Sequence, residues 1–307
     1  MGWPEASHAC AGRPRALSFP EEILSASDGE DLTKVKAVMF GLLQDASMGY
    51  ARQTLSVRGC CVIRLIGVSK KYGHNTVVDD VDLTVNPGEL VCITGASGVG
   101  KSTLLHLIAG LVQPDSGSVQ VASRPLAYVF QEPRLLPWCD VTNNVQVGLH
   151  ANGFTAADRA SLARDVLERV GLADASHLYP SQLSGGMRQR VALARAFVIT
   201  PRTLLLDEPF SALDHDLRQS LRRYLDELLS WRPCTTVFVT HDLEDAVSMG
   251  DRIIVMRGAR AADWSEYRID RARAERSDAF CLSEITTLRT LSGQMGPGQP
   301  IVDWGPE

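Results

Sequence analysis

The chain has 307 residues, 45% of them hydrophobic and 22% charged, a composition typical of a globular protein rather than a disordered one. Its net charge of -5 argues against a protein that binds nucleic acid through a general positive field, because neutralising phosphates requires clustered Lys and Arg. No apolar run approaches the roughly 20 residues that span a bilayer. The sequence therefore predicts a cytosolic protein whose link to a membrane would come through a partner.

The cysteines and the two ends of the chain add little chemistry. Seven cysteines, an odd number, lack the paired spacing of a zinc site, which favours free thiols. Residues 1–60 are rich in Ala, Ser, Arg and Pro and carry no helical or alternating period, so we expect a poorly ordered N-terminal extension. We expect a compact domain over 61–258. Residues 259–307 form a C-terminal tail to which the sequence assigns no role.

The first half of the expected domain begins with strands. Residues 62–68 and 77–85 alternate apolar and polar side chains, as half-buried strands do. The apolar run 90–94 precedes a glycine-rich loop, and residues 102–111 have helical spacing. A further short strand is predicted over 127–130. Residues 90–111 are therefore predicted to form a strand, a glycine-rich loop and a helix, in that order.

The second half alternates helices and strands after a helical segment. Residues 138–183 show helical patterns, such as 156–170, without a convincing strand, which predicts a helical insertion. Beyond it the pattern predicts a helix over 185–199, a strand over 203–207, a helix over 214–229, a strand over 236–240 and a helix over 243–249. Such alternation is typical of a parallel, right-handed α/β layer.

The glycine-rich loop fits the phosphate-binding pattern G-x-x-x-x-G-K-[ST], with the required strand before it and helix after it. Glycines let backbone N–H groups wrap phosphates, and the following helix N-terminus adds its positive dipole end. Lys101 is expected to reach the β and γ phosphates of a bound nucleotide, and Ser102 to bind Mg²⁺. The predicted loop comprises Gly95, Ala96, Ser97, Gly98, Val99, Gly100, Lys101, Ser102 and Thr103.

Two adjacent carboxylates, Asp207 and Glu208, stand at the end of the apolar strand predicted over 203–207. Asp207 is placed to hold the Mg²⁺ shell, as in other phosphate-loop NTPases, while Glu208 points the other way and could polarise the attacking water. An isolated Asp-Glu pair is usually part of a solvated loop. The buried strand before it and the phosphate loop upstream favour the catalytic interpretation here.

Residues 183–190 read Leu-Ser-Gly-Gly-Met-Arg-Gln-Arg, which matches the LSGGQ-type signature of ATP-binding cassette (ABC) ATPases with Met187 in place of Gln. The chain therefore resembles that family. Backbone N–H groups at a helix N-terminus suit an anion, and the Ser184 hydroxyl adds a donor. The resemblance implies that Ser184, Gly185 and Gly186 face a γ-phosphate held by a second copy. Two ATP molecules would then lie within a head-to-tail dimer.

The resemblance assigns further residues and a fold. It implies that Tyr72 stacks on adenine, that Gln131 is the switch-loop glutamine near Mg²⁺, that His241 senses the γ-phosphate and that 211–214 form a dimer-contact loop. Taken alone, each has an ordinary structural explanation, but their shared spacing over about 62–257 favours the family roles. The implied fold is α/β: a phosphate-loop core with a RecA-like parallel sheet, an antiparallel β subdomain, and a helical signature subdomain at about 138–185.

The segment 129–138, Val-Phe-Gln-Glu-Pro-Arg-Leu-Leu-Pro-Trp, resembles the nitrate, sulfonate and taurine importer branch. In that branch it lines a groove that receives a short helix of the membrane subunit, which makes Leu135, Leu136 and Trp138 candidate docking residues. The alternative is that these side chains form the core of the helical insertion. The segment 258–260, Gly-Ala-Arg, departs from the Pro-Gly-Arg of the branch, so the solute stays open.

Together these patterns predict an ATPase that energises an importer of small anions such as nitrate, aliphatic sulfonate or taurine. It would lie peripherally on the cytoplasmic face of the inner membrane, contacting permease subunits and, indirectly, a periplasmic or external solute-binding protein. The alternative is a soluble ABC ATPase unconnected with transport. Such proteins usually carry two cassettes or a long coiled coil, and no sustained heptads occur here. Glu208 and His241 argue against a purely regulatory cassette, and the importer-like segment argues against an exporter.

Overall fold

The computed structural model describes residues 62–152, 154–211, 213–257 and 263–291. Within them, nine strands and seven α-helices follow one another along the chain. The strands are β1 (Ile63–Tyr72), β2 (Asn75–Val85), β3 (Leu90–Gly95), β4 (Ser116–Val121), β5 (Leu126–Val129), β6 (Thr203–Asp207), β7 (Thr235–Val239), β8 (Arg252–Arg257) and β9 (Asp263–Arg268). The helices are α1 (Lys101–Ala109), α2 (Val141–Gln146), α3 (Ala156–Arg169), α4 (Gly185–Val198), α5 (His215–Trp231), α6 (Leu243–Met249) and α7 (Asp278–Leu291).

The strands form two sheets. An antiparallel sheet has the order β2-β1-β4, and a six-stranded sheet has the order β5-β6-β7-β3-β8-β9. All neighbours in the larger sheet are parallel except β8 and β9. Its central strands are almost continuously buried, because helices or the second sheet cover both faces. The predicted α/β fold, with a parallel sheet and an antiparallel subdomain, is confirmed.

Two hydrophobic clusters occupy the two faces of the larger sheet. Alternate residues of a strand point to opposite faces, so Leu90 and Cys92 join one cluster and Val91 and Ile93 join the other. The first cluster includes α4 and α5, and the second includes α1 and the antiparallel sheet. The larger sheet is therefore packed on both of its faces.

Residues 138–185 contain the helices α2 and α3 and short 3₁₀ turns. Asn144 organises the start of this segment: it is fully buried, its Oδ1 accepts from the Leu136 N–H at 2.7 Å, and its Nδ2 donates to the carbonyls of Leu136 and Cys139. Leu136 is 6% exposed and belongs to the interior, whereas Leu135 and Trp138 are half-buried. Of the three candidate docking residues, Leu136 is therefore a core residue, as in the alternative interpretation of this segment.

The C-terminal segment folds back onto the domain. Strand β9 pairs antiparallel with β8, and in α7 the side chains of Ile285 and Leu288 pack into the first cluster. The Arg276 guanidinium donates to the carbonyls of Val247 and Ser248 at 2.7 and 3.1 Å. Residues 263–291 of the predicted tail are thus structured. The predicted extension 1–60 and the segment 258–260 lie outside the described residues, and the domain boundaries stay predictions.

Candidate active site

The phosphate loop connects β3 to α1 through three glycines with positive φ. Gly95, Gly98 and Gly100 have φ of 150°, 79° and 109°, a region that side chains disfavour. A Cβ on Gly95 would also lie 2.6 Å from the Met256 carbonyl oxygen. Gly100 precedes the first residue of α1 and has no side chain to cap it, which leaves the helix N-terminus to an anion.

Lys101 lies inside this loop. Its Nζ donates to the carbonyl oxygens of Gly95 and Ala96, both at 2.9 Å. Burial lowers the pKa of Lys101, and the nearby carboxylates of Glu208 and Asp207 partly offset that effect. The ammonium is thus held by weak neutral acceptors, which a polyphosphate could replace.

Two of the predicted metal ligands meet at the carboxyl end of β6. The Ser102 hydroxyl donates to Asp207 Oδ1 at 2.8 Å, and Asp207 is 7% exposed. Gln131 is exposed, and its Nε2 donates to the Ser211 hydroxyl at 3.1 Å. Hydroxyl, carboxylate and amide oxygens are ligands that Mg²⁺ accepts, usually together with substrate phosphates and water. The donor chemistry therefore fits Mg²⁺ bound with a nucleotide.

Glu208 and His241 face each other beside the phosphate loop. His241 Nδ1 lies 3.0 Å from Glu208 Oε2. The Glu208 backbone has φ of 44°, and its N–H donates to the Val239 carbonyl at 2.9 Å, which ties it to the end of β7. A positive φ in a residue other than glycine is strained, and such strain is concentrated at functional sites. Adjacent carboxylates thus have different surroundings: Asp207 is buried beside Ser102, and Glu208 faces the imidazole.

The segment 211–214 links these groups to α5. The Ser211 hydroxyl donates to the Glu208 carbonyl at 3.1 Å and accepts from Gln131, so one serine bridges two predicted site residues. Asp214 caps α5 by accepting from the Leu217 N–H at 2.9 Å. Ala212, also in the predicted dimer-contact loop, lies outside the described residues.

The signature residues stand at the start of α4. Ser184 caps this helix, its Oγ accepting from the Met187 N–H at 3.2 Å. Gly185 is exposed, whereas Gly186 is buried against Leu217 of α5. The exposed cap leaves Ser184 and Gly185 available to a molecule approaching from outside. Tyr72, the predicted adenine platform, is likewise open, with 49% of its surface exposed.

Two polar residues in the site were missed by sequence reasoning. The Tyr128 hydroxyl donates to Asp207 Oδ2 at 2.9 Å. Arg195 of α4 donates to the carbonyls of Arg134 and Pro133 at 2.9 and 2.7 Å, just after Gln131, and burial lowers its pKa to about 10. The available signals were a polar hydroxyl within an otherwise apolar strand, for Tyr128, and a charged residue among the apolar residues of a helix, for Arg195.

The chain is similar in sequence to known proteins. The family model described as ABC transporter matches residues 78–211. The aliphatic sulfonates import ATP-binding protein of Burkholderia lata is 45% identical over 242 residues, 77% of this chain and 73% of that protein. The one from Mesorhizobium japonicum is 42% identical over 248 residues, 79% of this chain and 93% of that protein.

Solved structures show the same architecture. A bacterial ABC transporter cassette in dimeric form superposes with a TM-score of 0.62 at 30% identity, over 68% of this chain and 100% of that one. A dimeric post-hydrolysis cassette bound to ADP and Pi gives a TM-score of 0.60 over the same shares.

Proposed function

The chain belongs to the ABC transporter family, and from this premise we propose that it is the ATP-hydrolysing subunit of an importer for aliphatic sulfonates. The observation that carries the proposal is the meeting of Lys101, Asp207 and the Glu208–His241 pair at one edge of the sheet. Phosphoryl transfer needs a phosphate loop, a magnesium ligand and a group that positions or deprotonates water, and these residues have the chemistry to supply each.

The nucleotide would be held by the phosphate loop and by Tyr72. Lys101 would exchange its carbonyl acceptors for the β and γ phosphates, and the N–H groups of the glycine-rich loop would bind the remaining phosphate oxygens. Ser102, Gln131 and Asp207 would hold Mg²⁺, which when bound neutralises charge on the phosphates. Tyr72, half-exposed at the end of β1, would stack on the base.

Hydrolysis would then need one water molecule beside Glu208. The Glu208 carboxylate would accept a proton from that water as its oxygen attacks the γ-phosphorus in line and the bond from phosphorus to the β-γ bridging oxygen breaks. His241 would orient the Glu208 carboxylate and contact the γ-phosphate. The separation of 3.0 Å between Nδ1 and Oε2 supports this pairing.

The partners follow from the family and from the open signature loop. Two copies would face each other head to tail, with Ser184, Gly185 and Gly186 of one copy against the γ-phosphate of the other. Membrane permease subunits would follow their opening and closing, and a periplasmic or external solute-binding protein would deliver the solute. In the described part of the chain, no helix combines the length and apolarity that membrane crossing requires. Because the relatives described above are named as import ATP-binding proteins, we propose that the chain acts at the cytoplasmic face of the inner membrane, held there by the permease.

The solute class comes from the relatives. Both relatives described above carry names of aliphatic sulfonate importers, and the importer-like segment at 129–138 agrees with that branch. Neither relative favours the alternative of an ABC ATPase unconnected with transport.

The test of the ATPase proposal compares the wild type with Glu208→Gln. We expect the variant to lose about 10²- to 10⁴-fold in turnover, the scale of a positioned general base, and to accumulate as an ATP-bound dimer in size-exclusion chromatography. Glu227→Gln, an exposed change on α5, is the matched control and keeps wild-type turnover. Undiminished hydrolysis by Glu208→Gln would refute the assigned role.

The solute is tested separately. The chain is reconstituted with its permease in proteoliposomes, and ATPase activity is measured with the solute-binding protein loaded with an alkanesulfonate, taurine or nitrate. Stimulation by the alkanesulfonate above the other two supports the proposal. Stimulation by nitrate alone assigns a different solute and leaves the ATPase chemistry unaffected.

A further inference from the structure

Tyr128 lies in β5, next to β6, the strand that ends at Asp207. Its Cα pairs with that of Leu205 in the parallel neighbour β6. Asp207 is two residues further along β6 and so lies on the same face as Leu205. A long side chain reaches such a diagonal neighbour, and the Tyr128 hydroxyl meets Asp207 Oδ2 at 2.9 Å. The contact follows directly from the register of the two strands.

The phenol ring is held firmly. Tyr128 is 7% exposed, its ring centroid lies 4.3 Å from that of Phe130, and the His106 ring of α1 stacks on it at 5.9 Å. A tyrosine hydroxyl, whose ordinary pKa is about 10, keeps its proton at neutral pH, and the only group it is seen to meet in the described residues is the Asp207 carboxylate. It therefore acts as a fixed hydrogen-bond donor to the carboxylate.

The two oxygens of Asp207 have different donors. Oδ2 accepts from Tyr128, which is rigid, and Oδ1 accepts from Ser102, whose hydroxyl is itself a proposed magnesium ligand. A carboxylate free to rotate about its Cβ–Cγ bond could present either oxygen. Fixing Oδ2 leaves Oδ1 directed toward Ser102. Groups that hydrogen-bond to a metal ligand from behind fix its orientation and affect metal affinity.

We propose that Tyr128 is a positioning residue for magnesium nucleotide: its hydroxyl fixes Asp207 through Oδ2, so that Oδ1 stays beside Ser102 for the cation. The inference rests on the proposed function, because it deepens the role given to Asp207. The competing explanation is purely structural. In it, the hydrogen bond only satisfies a buried hydroxyl, and its loss lowers stability without changing the magnesium requirement.

The test uses two variants of the full chain that both remove the hydroxyl. Tyr128→Phe keeps the aromatic packing, and Tyr128→Met keeps an apolar side chain of adaptable shape. The matched control is Thr203→Val, which removes a fully buried hydroxyl from the opposite end of the same strand β6, where it donates to the Ser123 carbonyl at 2.9 Å. Thermal unfolding in EDTA checks that every variant is folded.

Two readouts are independent of turnover. The first is the ATP dissociation constant in EDTA and across a Mg²⁺ titration, from which the Mg²⁺ concentration at half effect is obtained. The second is Mn²⁺ bound in the presence of a non-hydrolysable ATP analogue, measured by electron paramagnetic resonance. We expect both Tyr128 variants to need about 10-fold more Mg²⁺ or Mn²⁺. ATP binding in EDTA should stay within about twofold of wild type, because the phosphate loop is untouched.

Several results would overturn the inference. A wild-type cation requirement in Tyr128→Phe would leave the hydroxyl a structural role only. A shift in Tyr128→Met alone, an equal shift in Thr203→Val, or failure of both Tyr128 variants to fold would assign the effect to packing. If the wild type itself binds ATP identically with and without Mg²⁺, the proposed magnesium site is wrong. This outcome is distinguishable from failure of the Tyr128 proposal, because it needs no comparison with a variant.

Discussion

Replacing Gly186 with alanine should separate the start of α4 from α5. An ideal Cβ at Gly186 would lie 2.4 Å from Leu217 Cδ1, 2.7 Å from Cδ2 and 2.9 Å from Cγ. Ordinary van der Waals contact begins at 3.4 Å, so the two groups must move apart by 3.4 − 2.4 = 1.0 Å. Leu217 packs against the first hydrophobic cluster, which limits its freedom to yield. The signature loop is therefore expected to shift.

The neighbouring glycine provides the matched control. A Cβ at Gly185 would meet no atom within 4 Å. Both substitutions lie in the first turn of α4 and gain similar helix propensity, so the difference between them isolates the steric term. Overpacking of this kind costs about 1 to 3 kcal/mol. We expect Gly186→Ala to be less stable than Gly185→Ala by that amount.

The stability assay is urea unfolding of both variants without nucleotide. The functional assay is ATP-dependent dimer formation in the Glu208→Gln background. We expect Gly186→Ala to weaken dimerisation at least about tenfold, because a displaced signature loop loses a hydrogen bond to the charged γ-phosphate, worth about 1.5 to 3 kcal/mol. Adding Leu217→Ala to Gly186→Ala removes the clashing methyl groups and should restore dimerisation. Equal stability of the two alanine variants, or no rescue by Leu217→Ala, would refute the steric explanation.

Two further predictions concern other parts of the domain. Tyr72→Ala should weaken ATP binding about tenfold, the scale of one aromatic–base stack, while Tyr72→Phe should bind ATP normally. Both variants should unfold like the wild type because Tyr72 is half-exposed. Isothermal titration calorimetry measures the affinities, and unchanged binding by Tyr72→Ala would exclude adenine stacking. Burial, and then the charge on Asp242, raises the pKa of Asp245 from its ordinary value of 3.8 to about 7. Between these two values the folded state binds a proton that the unfolded state has lost. The free energy of unfolding should therefore fall as pH rises from about 4 to 7. Asp245→Asn should flatten this part of the stability curve in urea unfolding, and parallel curves for the two proteins would contradict it.

The strands and helices that carry motifs were predictable because their signals are local. The apolar run before the phosphate loop became β3, and the run before Asp207 became β6. The predicted helices over 156–170 and 214–229 correspond to α3 and α5 within two residues at each end. Hydrophobic periodicity and turn residues within a dozen positions were sufficient in each case.

Other elements escaped because their sequences are ambiguous. Strand β4, Ser-Gly-Ser-Val-Gln-Val, has little apolar content and forms because β1 offers it a partner. Strand β9 and helix α7 lie in the segment predicted to be a tail. Strand β9 forms by pairing with β8, and α7 packs on α6. Leu136, a docking candidate in the sequence, is 6% exposed, and the buried Asn144 side chain of α2 holds its backbone through hydrogen bonds in both directions.

The sequence alone predicted the chemistry of the site: short contiguous patterns indicated a phosphate loop, a pair of carboxylates and a signature loop, and the family resemblance added His241. Only the tertiary structure decided which groups meet. Tyr128 reaches Asp207 across 79 residues, and Arg195 supports the chain after Gln131 from across 61 and 62 residues. The physical reason is that the register of parallel strands and the packing of helices on the sheet fix these contacts, and neither leaves a periodic signal in the chain.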